Sequence, residues 1–157
     1  MIPKFRAWLK NRKRMVETDD LLCIDYENEE IVTQEIYFES GLPSERDIDF
    51  SNFDDIVLMQ PTGLKDKNRK EIFEGDVITT NVYACIVGFG EYTYFEDEDT
   101  QTTAIGFYLS FLNVTPATYA PFEKIYWDNC EVIGNIHENE LDLIMYEAWK
   151  FNEEIIE

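Results

Sequence analysis

His137 is the single histidine in 157 residues, so any Ser-His-Asp or Cys-His nucleophile pair must run through it. It sits in Gly-Asn-Ile-His-Glu-Asn-Glu, and its nearest cysteine in sequence is Cys130. No nucleophile stands beside it, and it reads better as a half-exposed polar residue at a strand end. Cys23, Cys85 and Cys130 lie far apart without a Cys-x-x-Cys pair, so they lack the paired knuckles of a structural zinc site. Glu96 to Asp99 are four consecutive acids between apolar runs. A calcium loop needs alternating acids, a central glycine and a closing glutamate, so the run reads as a solvated hairpin tip. Gly88 to Phe95, Gly-Phe-Gly-Glu-Tyr-Thr-Tyr-Phe, lacks the Gly-Lys-Ser/Thr ending of a phosphate loop. The expectation is no catalytic residue, no metal and no cofactor, hence not an enzyme.

A different chemistry gathers at residues 58 to 78, Leu-Met-Gln-Pro-Thr-Gly-Leu-Lys-Asp-Lys-Asn-Arg-Lys-Glu-Ile-Phe-Glu-Gly-Asp-Val-Ile. Lys65, Lys67, Arg69 and Lys70 crowd together in a chain of 33 acids and 13 bases with a net charge of -20. A second basic cluster spans Lys4 to Arg14, and the two hold ten of the thirteen bases. The segment Lys65 to Lys70 has no apolar residue, so it predicts an exposed hairpin tip. Gly63 and Gly75 are candidates for positive φ, and Asp76 can accept backbone N–H groups at the corner. Lys65, Asp66, Lys67, Arg69 and Lys70 form the candidate contact site. Gly63, Gly75 and Asp76 are assigned to bending the backbone.

The elements that position these residues are mainly strands. Phe5, Ala7 and Leu9 share one parity, which predicts a strand, with Asn11 as the left-handed residue of the following turn. Glu30 to Ser40 alternates again and ends at Gly41-Leu42-Pro43. Ser44, three residues before Asp47, suggests a short helical turn. From residue 72 onward β-branched and aromatic residues predict strands almost throughout, including residues 122–136. The tail has Leu141, Ile144, Met145, Ala148, Trp149 and Ile155 at three- and four-residue steps, which predicts a helix over 139–151 with Asn139 as its cap. The fold class is α+β, mainly β: a strongly bent sheet or small barrel-like domain, with a β-rich lobe over 1–57 and a lobe over 58–157 ending in the helix.

Four ordered blocks resemble the YopX family of phage and prophage proteins: Lys4 to Trp8, Thr62 to Asn68, Glu71 to Asp76, and Val132 to Ile136 followed by Glu138-Asn139. Three positions depart from that pattern. Pro61 replaces an aromatic or small polar residue, Arg69 stands where glycine is usual, and Glu140 replaces a proline. The resemblance implies an α+β or mainly β protein with a barrel-like sheet, of phage or prophage origin, working in the cytoplasm of a host bacterium. It implies no assigned biochemical activity.

The bulk composition sets the remaining expectations. An apolar fraction of 45%, with 11 Phe, 9 Tyr and 3 Trp, is enough to bury a core. A charge of -20 opposes nucleic acid and anionic membranes unless bases are gathered. No apolar h-region opens the sequence, and no window approaches the roughly 20 apolar residues that span a bilayer. The scattered cysteines read as reduced, buried thiols. The expected partner is a protein, with self-association a further expectation. A nucleic-acid-binding barrel using residues 4–14 and 65–70, or an acidic surface that mimics DNA, are the alternatives.

Overall fold

A computed structural model describes residues 2–80 and 83–156; in the last helix the side chains of residues 141, 142, 147, 151, 152 and 154–156 lie outside that description. The chain divides into two compact units, Met1–Gln60 and Pro61–Glu157.

In the first unit, β1 (Arg6–Leu9) lies between β2 (Arg14–Val16) and β6 (Ile56–Met59), antiparallel to both. That pairing keeps β6 in this unit and puts the division at Gln60. The parity of the opening strand buries Ala7 and Leu9 against Val16, Ile31 and Ile56. The turn takes its left-handed residue at Lys13, with φ of 50°, and not at Asn11. Strands β3 (Leu21–Asp25), β4 (Glu30–Glu39) and β5 (Leu42–Asn52) form the other sheet. The β4–β5 reversal is Ser40-Gly41, with φ of 53° and 81°, the left-handed pair a two-residue hairpin requires. Leu42 to Asn52 then pairs with β4 on both sides of a bulge at Ser44, which stays in the extended strand, so the helical turn expected there does not form.

In the second unit, β7 (Pro61–Lys65) and β8 (Glu71–Phe73) make a hairpin, followed by β9 (Asp76–Thr79), β10 (Ala84–Phe95), β11 (Gln101–Phe111), β12 (Tyr119–Pro121) and β13 (Glu131–Asn135). The last five form one sheet in the order β12-β11-β10-β9-β13. Among the described residues this sheet does not close, so it is no barrel. Its edges are a three-residue strand and a strand broken by a register shift between Val132 and Gly134, too short and irregular to meet across a lumen. One face buries Ile72, Ile78, Cys85, Val87, Leu109 and Cys130. Lys124–Trp127 is a single helical turn, α1, where strand was expected; Lys124 and Asp128 pair across it at 3.3 Å. The tail helix, α2, runs Leu141–Ile156, and Ile144 and Ala148 pack on Val77, Ala84 and Leu112. Trp149, placed on its apolar face by spacing, is exposed. Leu141 and Ile155 fall outside the described side chains.

Candidate functional site

Asp66 is buried, with only 6% of its surface exposed. Its Oδ1 accepts the N–H of Asn68 at 2.9 Å and of Lys70 at 2.8 Å, and its Oδ2 accepts the N–H of Val132 on β13 at 3.0 Å. Burial pushes its carboxyl up, but those three N–H groups and the nearby Lys70 charge outweigh it, so it lies below its ordinary 3.8. The backbone N–H of Lys67 donates to the Cys130 carbonyl at 2.9 Å, fixing the same tip to the segment before β13. Of the expected contact residues, Asp66 therefore holds the tip together, while Lys65, Lys67, Arg69 and Lys70 ride exposed on it. Lys67 pairs with Glu131 at 3.0 Å.

The three backbone-bending residues lie in this same framework. Gly63 and Gly75 have φ of 79° and 86°. Gly75 donates to the Val87 carbonyl at 2.8 Å and accepts from the Ile136 N–H at 3.0 Å. Asp76, 1% exposed, accepts the Phe73 N–H at 2.8 Å. Asn135 pairs with Asp76 in the sheet, and its Oδ1 accepts the N–H groups of His137 and Glu138 at 3.0 and 2.8 Å. Asn139 accepts the Asn135 N–H at 3.1 Å, so its carbonyl faces the turn instead of capping α2, which begins two residues later. A Cβ on Gly134 would stand 2.6 Å from that Asn139 oxygen.

The remaining chemistry-bearing residues are dispersed. His137 is half-buried, its ring Nε2 3.7 Å from where a Cβ on Gly75 would stand. Cys85 and Cys130 are wholly buried. Burial, then the neighbouring Cys130, pushes Cys85 up to about 12; burial, then Asp66, pushes Cys130 up to about 11. At neutral pH both are protonated and poor nucleophiles. Cys23 is exposed, against the expectation that all three thiols are buried. Asp97 at the acidic tip accepts the N–H groups of Asp99 and Thr100 at 2.9 and 2.8 Å. No cluster of three or more metal-ligating side chains occurs among the described residues.

The amino-terminal basic cluster is largely engaged. Arg6 is buried, its Nε donating to Met59 Sδ at 3.4 Å. Arg12 pairs with Asp49, Arg14 with Glu35 at 2.6 Å and Lys4 with Asp19 at 3.6 Å.

One constellation has no counterpart in the expectations. On the β10–β11 hairpin, the face opposite the core carries Gly88, Gly90, Tyr92 and Tyr94 from β10, facing Tyr108, Gly106, Ala104 and Thr102 from β11. Among the described residues, α2 packs on this face at Ala84 and Ile86. The Tyr108 ring lies over Gly88, where an added Cβ would be 2.4 Å from it. Tyr92 meets Tyr94 at 5.7 Å and Tyr108 at 5.0 Å, near-parallel in both cases, and Tyr108 meets Tyr119 edge-on at 5.8 Å. These four rings line a cavity of about 620 Å³ with Glu91 at its margin. Burial, then Glu123, raises the Tyr92 hydroxyl above its ordinary value; burial, then Glu96, raises Tyr94. The signal lay in the alternation Gly-x-Gly-x-Tyr-x-Tyr from residue 88, which puts small floor and aromatic wall on one parity.

The family described as YopX protein matches residues 4–142. The chain belongs to the YopX family. A crystal structure of protein EF1440 from Enterococcus faecalis is similar, at 29% identity and a TM-score of 0.51, over 91% of this chain and 99% of that one. No curated protein matches. Three of the YopX blocks converge in the second unit. Thr62 Oγ1 donates to the Ile72 carbonyl at 2.8 Å, Asp66 ties the first of these blocks to Val132, and Gly75 ties the next to Ile136. These motif residues thus close turns on one another. Where glycine is usual, Arg69 takes φ of 67°, a left-handed conformation costly for a side chain. Pro61 opens β7, the strand position that tolerates a missing donor.

Proposed function

We infer that this YopX-family protein is a non-enzymatic interaction module of phage or prophage origin, acting in the host cytoplasm and binding a partner protein. The tyrosine-lined trough of the second unit carries this reading. Its volume falls within the roughly 300–1,000 Å³ range of ligand pockets, and tyrosine supplies large contact area at low entropic cost. The motif residues are occupied with backbone hydrogen bonds, and the buried thiols are held protonated, which favours binding over covalent chemistry. The exposed bases of the 65–70 tip are a second contact surface in this reading. Among the described residues no helix is long and apolar enough to cross a membrane.

Nucleic-acid binding through residues 4–14 is less well supported, because Arg12, Arg14 and Lys4 already face acids of their own unit.

The test places a photo-crosslinking amino acid at Tyr119, on the trough, and at Phe38, an exposed residue of the first unit. In cells carrying the phage, a discrete protein adduct is expected from position 119 and not from 38. Identical patterns from both positions, or none from 119, would refute the reading.

A further inference from the structure

We propose that the trough takes an arginine side chain from an extended segment of the partner protein, its guanidinium laid on the tyrosine rings. This rests on the interaction-module reading and specifies its ligand. Four tyrosines line one open cavity, and two acids stand beside it: Glu96, 3.4 Å from the Tyr94 hydroxyl, and Glu123, whose charge acts on Tyr92 and Tyr94. A ring face is electron-rich, so aromatic walls with acids beside them are complementary to a cation. Guanidinium suits the site better than ammonium, because it is planar, stacks on aromatic faces and is weakly hydrated. Bases of a nucleic acid would also stack on such rings, but the adjoining phosphates would meet these carboxylates and the tip acids Glu96 to Asp99. A second copy would bring another charge of -20.

The full-length protein is titrated with the blocked peptide Gly-Arg-Gly-Arg-Gly, and with the same peptide carrying citrulline, which keeps the shape and removes the charge. Backbone amide shifts are followed by NMR. The arginine peptide is expected to shift the amides of residues 90–94 and 106–108, weaken as salt rises, and bind about tenfold more tightly than the citrulline peptide. Glu123→Gln, at an exposed position, should weaken it about threefold, and Tyr92→Leu about tenfold. If Tyr92→Leu does not fold, Glu123→Gln and the citrulline comparison still decide. Equal binding of the two peptides, shifts confined to other surfaces, preference for an oligonucleotide or a second copy, or no shift at millimolar peptide would each overturn the proposal. The crosslinking at Tyr119 separates the two failures: an adduct there, on a partner lacking an arginine at the crosslink, leaves the module standing and removes the arginine.

Discussion

At the scale of single residues, Asp66 is the most consequential side chain among the YopX motif positions. One carboxylate satisfies three backbone donors on two separate segments, two in its own turn and one on β13. Replacing it by alanine strands those donors, and Asp66→Ala should destabilise the second unit by about 3 kcal/mol. Urea unfolding, with amide exchange at Val132 as a local probe, measures this. Because the folded carboxyl lies below 3.8, its contribution is full above that pH and is lost as pH falls through the folded value. Asp66→Asn should therefore remove part of the acid sensitivity that the parent shows below about pH 4. Arg69 is the opposite case, a residue held against its preference. With φ of 67°, Arg69→Gly should stabilise the hairpin by about 1 kcal/mol, and Arg69→Val should cost more than that, both read as shifts in the urea midpoint.

At the scale of elements, the β10–β11 hairpin is two surfaces back to back. One parity, Cys85 and Val87 facing Phe111 and Leu109, belongs to the core; the other holds the tyrosine row on a floor of glycine and alanine. Gly88 decides whether that row exists, since any Cβ there collides with Tyr108. Gly88→Ala should displace the Tyr108 ring and separate it from Tyr92 while leaving the core face paired. The expected reading is changed near-ultraviolet tyrosine dichroism with far-ultraviolet dichroism nearly unchanged; loss of both would show that the ring supports the fold itself. Strand and turn residues were readable at this scale where one period dominated, as in Ala7 and Leu9, or in the acidic hairpin tip. They were misread where a local propensity competed with pairing. Ser44 resembled a helix start, yet Ser40-Gly41 had already reversed the chain into an eleven-residue strand. Ile125, Tyr126 and Trp127 resembled strand, yet they form a helical turn, with Lys124 paired to Asp128 and resting on the Trp127 ring at 5.4 Å. The alternation from residue 88 places Tyr92 and Tyr94 on one parity, but bringing them against Tyr108 depends on which strands pair and in what register, which no local pattern encodes.

At the scale of the whole molecule, three thiols report on the two units separately. A thiol reagent should modify Cys23 quickly in the native protein and reach Cys85 and Cys130 only on unfolding. Buried thiols raised from 9.0 to about 12 and about 11 stay protonated when folded, while the unfolded chain ionises first. Their stabilisation is complete below pH 9 and is lost as pH rises from there toward 11 and 12. The urea midpoint of the second unit should fall over that range, and Cys85→Val with Cys130→Val should flatten the fall; an unchanged slope would contradict the burial described. The open sheet also has a soft rung. Gly90 and Gly106 face each other across the hairpin, with φ of 144° and 155°, and nothing would touch a Cβ at either one. Only main-chain bonds stiffen that rung, while Tyr92 and Tyr108 touch from either side of it. The outer half of the hairpin is thus a paddle on a flexure, with two rings as its strut. A guest resting on both would lock the paddle, so occupancy should be legible as a quieting of the backbone at the distant acidic end.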